Sequence, residues 1–195
     1  MEDLLTRIKR RLLHPFSTHN RMYYFPDPYR MASEKEQYRF RETNAIIEGS
    51  VGHVGSLLEF GSGEGYQTEY LLKVADEVYG VEKSSVAAKR ARPRAPKAAF
   101  FVGTVEKTFD RRFDVVTAFE LLYYLPEKDM PRILKHLEEL APVVVVSYWR
   151  DRNKEHWLDK YFAHEKVHRS IISRPQDAGM VWDVRWWKTE TRVLS

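Results

Sequence analysis

From residue 56 onward, short apolar runs alternate with segments whose apolar residues recur at helical spacing. Strands are expected over 56–60, 77–81, 99–103, 113–119 and 143–149, and helices over 66–74, 84–91 and 128–140. In the last of these helices Met130, Ile133, Leu134, Leu137 and Leu140 form one stripe. A run such as VVVVSYW, apolar at successive positions, demands cover on both faces of its sheet. The pattern predicts an α/β fold, a mostly parallel sheet with helices on both faces. A helix over 153–162 should follow, then strands over 167–173 and 180–188 as an antiparallel hairpin at the sheet edge. With 195 residues, 43% of them hydrophobic, the chain suits one domain spanning 1–195.

The first 50 residues follow a different pattern. Leu4, Leu5, Ile8, Leu12 and Leu13 fall on one stripe, as in a short helix docked on its own domain. HPFSTHNRMYYFPDPYRM, crowded with aromatics and prolines, reads as an ordered loop, after which Ser33 and Glu36 should form a capping box for a helix reaching about Ile47. Tyr23, Tyr24, Phe25 and Tyr29 suit an aromatic lid over the open edge of the sheet. Residues 1–50 are thus read as amino-terminal helices and lid, and 56–195 as the core.

Composition narrows the chemistry. The absence of cysteine removes disulfides, thiolate–zinc sites and cysteine nucleophiles. No stretch approaches the roughly 20 apolar residues of a membrane span, and MEDLLTRIKRRLL carries charge where a signal peptide needs an apolar centre. A soluble, cytoplasmic protein with no membrane partner is expected. The net charge of +4 and the run KRARPRAPK permit nucleic acid as a partner. Yet 32 basic against 28 acidic residues is modest for affinity resting on many phosphates, and a small anionic molecule answers the same field.

The expected turn between the first strand and its helix reads LEFGSGEGY. Glycines there permit a sharp turn and a close ligand at the carboxyl edge of the sheet, where open α/β folds bind small molecules. A nucleoside triphosphate wants Gly-Lys-Ser/Thr, which does not follow Gly65; a dinucleotide wants a small residue where Tyr66 stands. The order G-x-G-x-G, with Glu59 before it and Glu82 ending the second strand, suits S-adenosyl-L-methionine, whose ribose hydroxyls a carboxylate can accept.

Through LLEFGSGEG, VYGVE, FFVGTVE and FDVVTAFELLYYL the chain resembles the class I S-adenosylmethionine-dependent methyltransferases. DPYRMASEKEQYRFRET and FELLYYL are similar, more narrowly, to the nodulation N-methyltransferase type that acts on small molecules. The resemblance implies a Rossmann-like seven-stranded sheet with an antiparallel terminal strand. It implies that Gly61, Ser62 and Gly63 pass beneath the methionine and ribose of the cofactor, with Gly65 completing the turn and Glu59 near the amino end. Glu82, with Lys83 beside it, would hold the ribose, and Phe119 would pack near adenine. Where many relatives carry an aspartate against adenine this chain has Thr104, whose hydroxyl can accept the same bond, with the Val105 N–H for a ring nitrogen.

Glu120, ending the fourth strand, is the residue expected to orient the acceptor or take its proton. Tyr29, Tyr123, Tyr124 and Trp149 are expected to line the acceptor pocket. The expected function is methyl transfer to nitrogen or oxygen of a small molecule, the alternatives being an RNA methyltransferase or a non-catalytic cofactor-binding subunit. One competing motif, H-E-x-x-H at 164–168, runs into the strand-like VHRSIIS, so it is read as a surface connection and no metal is expected.

Overall fold

A computed structural model describes residues 18–163, 165–174, 176 and 179–189. The helix expected over 1–13 lies outside the described residues. The strands are β1 (Val54–Phe60), β2 (Ala75–Glu82), β3 (Ala99–Val102), β4 (Val115–Phe119), β5 (Val143–Asp151), β6 (His168–Ile172) and β7 (Met180–Lys188). The α-helices are α1 (Thr18–Met22), α2 (Glu34–Val51), α3 (Tyr66–Leu71), α4 (Ser85–Arg94) and α5 (Met130–Leu140). One seven-stranded sheet runs in the order β3-β2-β1-β4-β5-β7-β6. All neighbours pair in parallel except β7, which is antiparallel to both β5 and β6.

Burial follows the apolar runs. Leu57, Val115, Val145, Trp182 and Val184 pack on one face with Ile47 of α2 and Leu71 of α3. Leu58, Phe60, Val116, Ala118, Val144 and Val146 pack on the other with Ile133, Leu137 and Leu140 of α5. Each fully buried leucine or isoleucine contributes about 2 kcal/mol relative to exposure, so a one-residue register slip would send both sets to the wrong layer. The hairpin forms as expected, with an inside and an outside strand. Buried β7 pairs with β5 over nine residues, whereas polar, exposed β6 takes the edge, where charge discourages further pairing.

Three local expectations are corrected. Ser33 caps α2 by accepting the Glu36 N–H at 3.4 Å, but no reciprocal bond closes the box, because the Glu36 carboxylate turns to Arg39 Nε at 2.8 Å. The helix expected over 153–162 is a single 3-10 segment, Trp157–Tyr161. Asp159 in that segment is held by Tyr148 Oη at 2.7 Å and Arg150 Nη1 at 2.7 Å, contacts from β5 that outweigh local helix preference. β4 starts at Val115, since the Phe113 N–H donates to Leu140 O instead of to a neighbouring strand.

His168 of the H-E-x-x-H match lies on β6 with its ring stacked on Trp186 at 4.0 Å, while His164 lies outside the described residues. Among the described residues no helix is long and apolar enough to cross a membrane.

Candidate active site

The carboxyl ends of β1, β2, β4 and β5 open into one cavity of about 840 Å³. Its wall brings together Glu59, Gly61, Ser62, Gly63, Glu82, Lys83, Thr104, Val105, Phe119, Glu120, Tyr29, Tyr123, Tyr124 and Trp149, all expected from sequence. Gly65 is the exception. Its φ of +79° suits the start of α3, and a Cβ there would stand 3.1 Å from the Ala91 Cα, so its lack of side chain serves the packing of the turn on α4.

Gly63 is the glycine that keeps the cavity open. At φ +54° it occupies the left-handed region, and an added Cβ would meet the Tyr23 hydroxyl at 3.3 Å. Its N–H donates to Glu82 Oε2 at 3.0 Å, and the Ser84 N–H donates to Glu82 Oε1 at 2.7 Å. These two bonds fix the carboxylate against the turn and leave lone pairs for two further donors. Burial pushes the Glu82 carboxyl above its usual range, against the pull of those N–H groups.

Glu59, 2% exposed, lies under the turn and accepts the Thr68 hydroxyl at 2.5 Å. Its burial drives the carboxyl up to about 7, with Arg39 opposing the shift. The structure adds Arg39, which the sequence reading missed. This arginine is 2% exposed, spends two donors on Glu36 Oε2 and Gln67 Oε1, each at 2.8 Å, and belongs to the cavity lining. Two further cavity atoms, Ser62 Oγ and Gln67 Nε2, are buried without a hydrogen-bond partner in the protein. Buried polar atoms are rarely left so, and both belong to residues that line the cavity.

On the far side, Glu120 sits at φ +52°, a strained conformation for a residue with a side chain. Its carboxylate accepts from Ser147 Oγ at 2.8 Å, Tyr123 Oη at 3.2 Å and the Trp149 N–H at 3.0 Å. Burial raises its pKa, with Arg39 and these donors acting the other way. Thr104 is exposed, its hydroxyl accepting the Glu106 N–H at 3.4 Å, and Val105 belongs to the α5-side core. Phe119 packs into the opposite, α2-side core with Ile47 and Trp182, so it bounds the cavity from the other face of the sheet.

Of the four aromatics expected over the open edge, Tyr23 and Tyr29 line this cavity, whereas Tyr24 and Phe25 do not. Tyr23, Asp27, Pro28, Tyr29 and Met31 all contribute to the cavity wall. A latch holds them: Arg90 Nη1 donates to Glu64 Oε1 and to Tyr23 O, at 2.8 and 2.9 Å, and Glu64 Oε2 accepts the Asp27 N–H at 2.6 Å. Arg92 donates to Phe100 O at 3.1 Å, and Arg94 donates to Glu64 O at 3.0 Å while lying 3.5 Å over the Tyr66 ring. The basic run of the sequence is therefore divided: Arg90 and Arg94 are half-buried and tie α4 to the aromatic segment and the glycine turn, whereas Lys89, Arg92 and Lys97 are exposed.

The family model described as a methyltransferase domain matches residues 12–183. The N-methyltransferase NodS from Bradyrhizobium japonicum WM9, solved in complex with S-adenosyl-L-homocysteine, superposes with a TM-score of 0.69 at 18% identity, covering 88% of this chain and 96% of that one. Magnesium protoporphyrin IX methyltransferase ChlM from Synechocystis PCC 6803, with bound S-adenosylmethionine, gives 0.63 at 14% identity, over 95% and 97% of the two chains. A putative RNA methyltransferase from Pyrococcus horikoshii gives 0.59 at 21% identity, over 78% and 85%. No curated protein matches the chain in sequence. These structural likenesses speak for the fold, and the match over 12–183 carries the family. The chain belongs to the methyltransferase-domain family and is a class I S-adenosylmethionine-dependent methyltransferase.

Proposed function

We propose that this enzyme methylates a nitrogen or oxygen atom of a small-molecule acceptor held against Glu120. The observation that carries the reading is the position of the Glu120 carboxylate, on the wall of the glycine-turn cavity and bonded to the backbone of Trp149. Bound S-adenosylmethionine would supply a sulfonium methyl group, and the Glu120 carboxylate would take the proton that the acceptor nitrogen or oxygen loses. In-line displacement of this kind needs alignment and exclusion of water more than covalent help.

In this reading Glu82 accepts the ribose hydroxyls, and Gly61, Ser62 and Gly63 leave room for the ribose and methionine. Arg39 pairs with the cofactor carboxylate and Glu59 faces its ammonium. Thr104 and Val105 border the adenine. The whole of 1–195 acts as one domain, with residues 20–32 as a lid held by Arg90, so that the reacting atoms are kept from water. Arg90 and Arg94, each bonded within the fold through Glu64, favour a small acceptor over RNA.

A methyl-donor turnover screen across amino sugars, phenols, aromatic amines and RNA tests this. In the Glu120→Gln variant, turnover of the best acceptor should fall about 100-fold, the scale of a positioned acid–base group. Affinity for S-adenosylhomocysteine should stay close to wild type, since the Ser147 hydroxyl can turn to suit the amide. An unchanged rate removes Glu120 from the reaction, and RNA as the sole acceptor overturns the small-molecule assignment.

The raised Glu59 carboxyl adds a pH signature. Protonated below about 7 in the free protein, it becomes a carboxylate when a cationic ammonium is placed beside it, so binding releases a proton. Affinity for S-adenosylhomocysteine should therefore rise roughly tenfold between about pH 6 and about pH 8, then level off. Titration calorimetry of wild type and Glu59→Gln reads it directly. A flat wild-type profile would separate Glu59 from the cofactor's amino end.

A further inference from the structure

Beside Glu120 the cavity holds an arrangement that donor binding does not use. Trp149 of β5 and Trp182 of β7 are register partners across the antiparallel pair and present adjacent indoles to the cavity. Lys35, in the first turn of α2, holds its ammonium 4.9 Å from the Trp149 ring centroid and 5.0 Å from that of Trp182. No carboxylate among the described residues lies within ion-pairing distance of it. Its neighbour Glu36 is committed to Arg39 at 2.8 Å, and Glu34 faces Arg174 at 3.8 Å. Trp182 is 3% exposed, while Trp149, 44% exposed, keeps part of its surface open beside the ammonium.

We propose that Lys35, with Trp149 and Trp182, selects an acceptor that is flat and carries a carboxylate, the acid group meeting Lys35 while the methyl-accepting atom meets Glu120. The inference rests on the methyltransferase reading of the same cavity and adds the class of acceptor. The physical reasoning is one of charge and shape. Indole faces attract cations, but Lys35 already holds both of them, so a second cation entering here meets like charge at short range. An anion instead finds an ammonium held in place by two rings, so it meets attraction where a cation meets repulsion. The backbone N–H of Trp149 donates to Glu120, which sets that carboxylate beside the residue whose indole Lys35 covers. An acceptor with its nucleophile and its acid at separate positions on one ring satisfies both.

The test uses the full chain saturated with S-adenosylhomocysteine and follows tryptophan fluorescence during titration with benzoate, benzamide and benzylamine. Benzoate should bind about tenfold more tightly than its neutral isostere benzamide, and benzylamine more weakly than either. In Lys35→Met the preference for benzoate should vanish, and in Lys35→Arg it should persist, with affinity for S-adenosylhomocysteine unchanged in both. Equal binding of benzoate and benzamide by the wild type, or tighter binding of benzylamine, overturns the proposal. Should S-adenosylhomocysteine itself fail to bind, the donor-site reading falls on that result alone, and the same titrations without it still decide whether Lys35 selects an anion.

Discussion

Replacing Gly63 by valine is expected to weaken S-adenosylhomocysteine binding at least about 100-fold and to abolish methyl transfer. Two effects add. A β-branched residue at φ +54° carries backbone strain of about 1–3 kcal/mol. Its side chain also fills the space between the turn and the Tyr23 hydroxyl, which a Cβ alone would approach to 3.3 Å. The strain is local to a loop between β1 and α3, so circular dichroism should report an intact fold with a lowered melting temperature. Gly49→Ala is the matched control. Gly49 lies in α2 with nothing within 4 Å of an added Cβ, so alanine there should stabilise the helix slightly and leave cofactor affinity alone. Normal affinity in Gly63→Val would mean that the glycine turn is not where the donor sits.

The second large effect is expected at Arg39. Arg39→Met keeps an unbranched apolar stem and removes the charge, leaving Glu36 without its partner at 2.8 Å and Gln67 Oε1 without its donor. Deleting one member of a buried ion pair costs about 3–5 kcal/mol. Loss of a guanidinium facing the cofactor carboxylate should reduce S-adenosylhomocysteine affinity by about 100-fold, the scale of a charge-assisted hydrogen bond. A purely structural arginine would also lower stability, so the deciding readout is the pH profile. Arg39 holds the Glu59 carboxyl down against its burial. Without it, the rise of affinity with pH should move to higher pH. A profile that stays in place, with affinity preserved, would leave Arg39 as a scaffold residue only.

These two residues differ in how visible they are from sequence. Gly63 stands in a spaced glycine triplet after an apolar run, a local pattern with few uses. Arg39 is a charge within a helix, and nothing around it distinguishes it from Arg41, which is exposed, until α2 is laid against α3 and Gln67. Glu64 was similarly ambiguous. As the variable position of G-S-G-E-G it reads as solvated, yet it is 5% exposed and ties the lid to α4 through Arg90. The partners of the basic run were equally illegible: the sequence shows only a cluster of charge, and folding gives Arg90, Arg92 and Arg94 acceptors at Tyr23, Phe100 and Glu64.

The sequence by itself determined the sheet, the turn and the carboxylate at the end of β2. Apolar periodicity and glycine spacing are properties of neighbouring residues and imply a mostly parallel sheet covered on both faces, whereas the seven-strand count came from the family resemblance and the order β3-β2-β1-β4-β5-β7-β6 from the tertiary structure. It also placed Glu120 at the end of β4, one residue beyond the last strand position. Only the tertiary structure decided which charges face the cavity. Lys35 meets Trp149 and Trp182 from more than a hundred positions away, and its role comes from the β5–β7 register that sets the two indoles side by side. A charged side chain takes its partner from whatever surface folding brings to it, and that choice leaves no periodic trace along the chain.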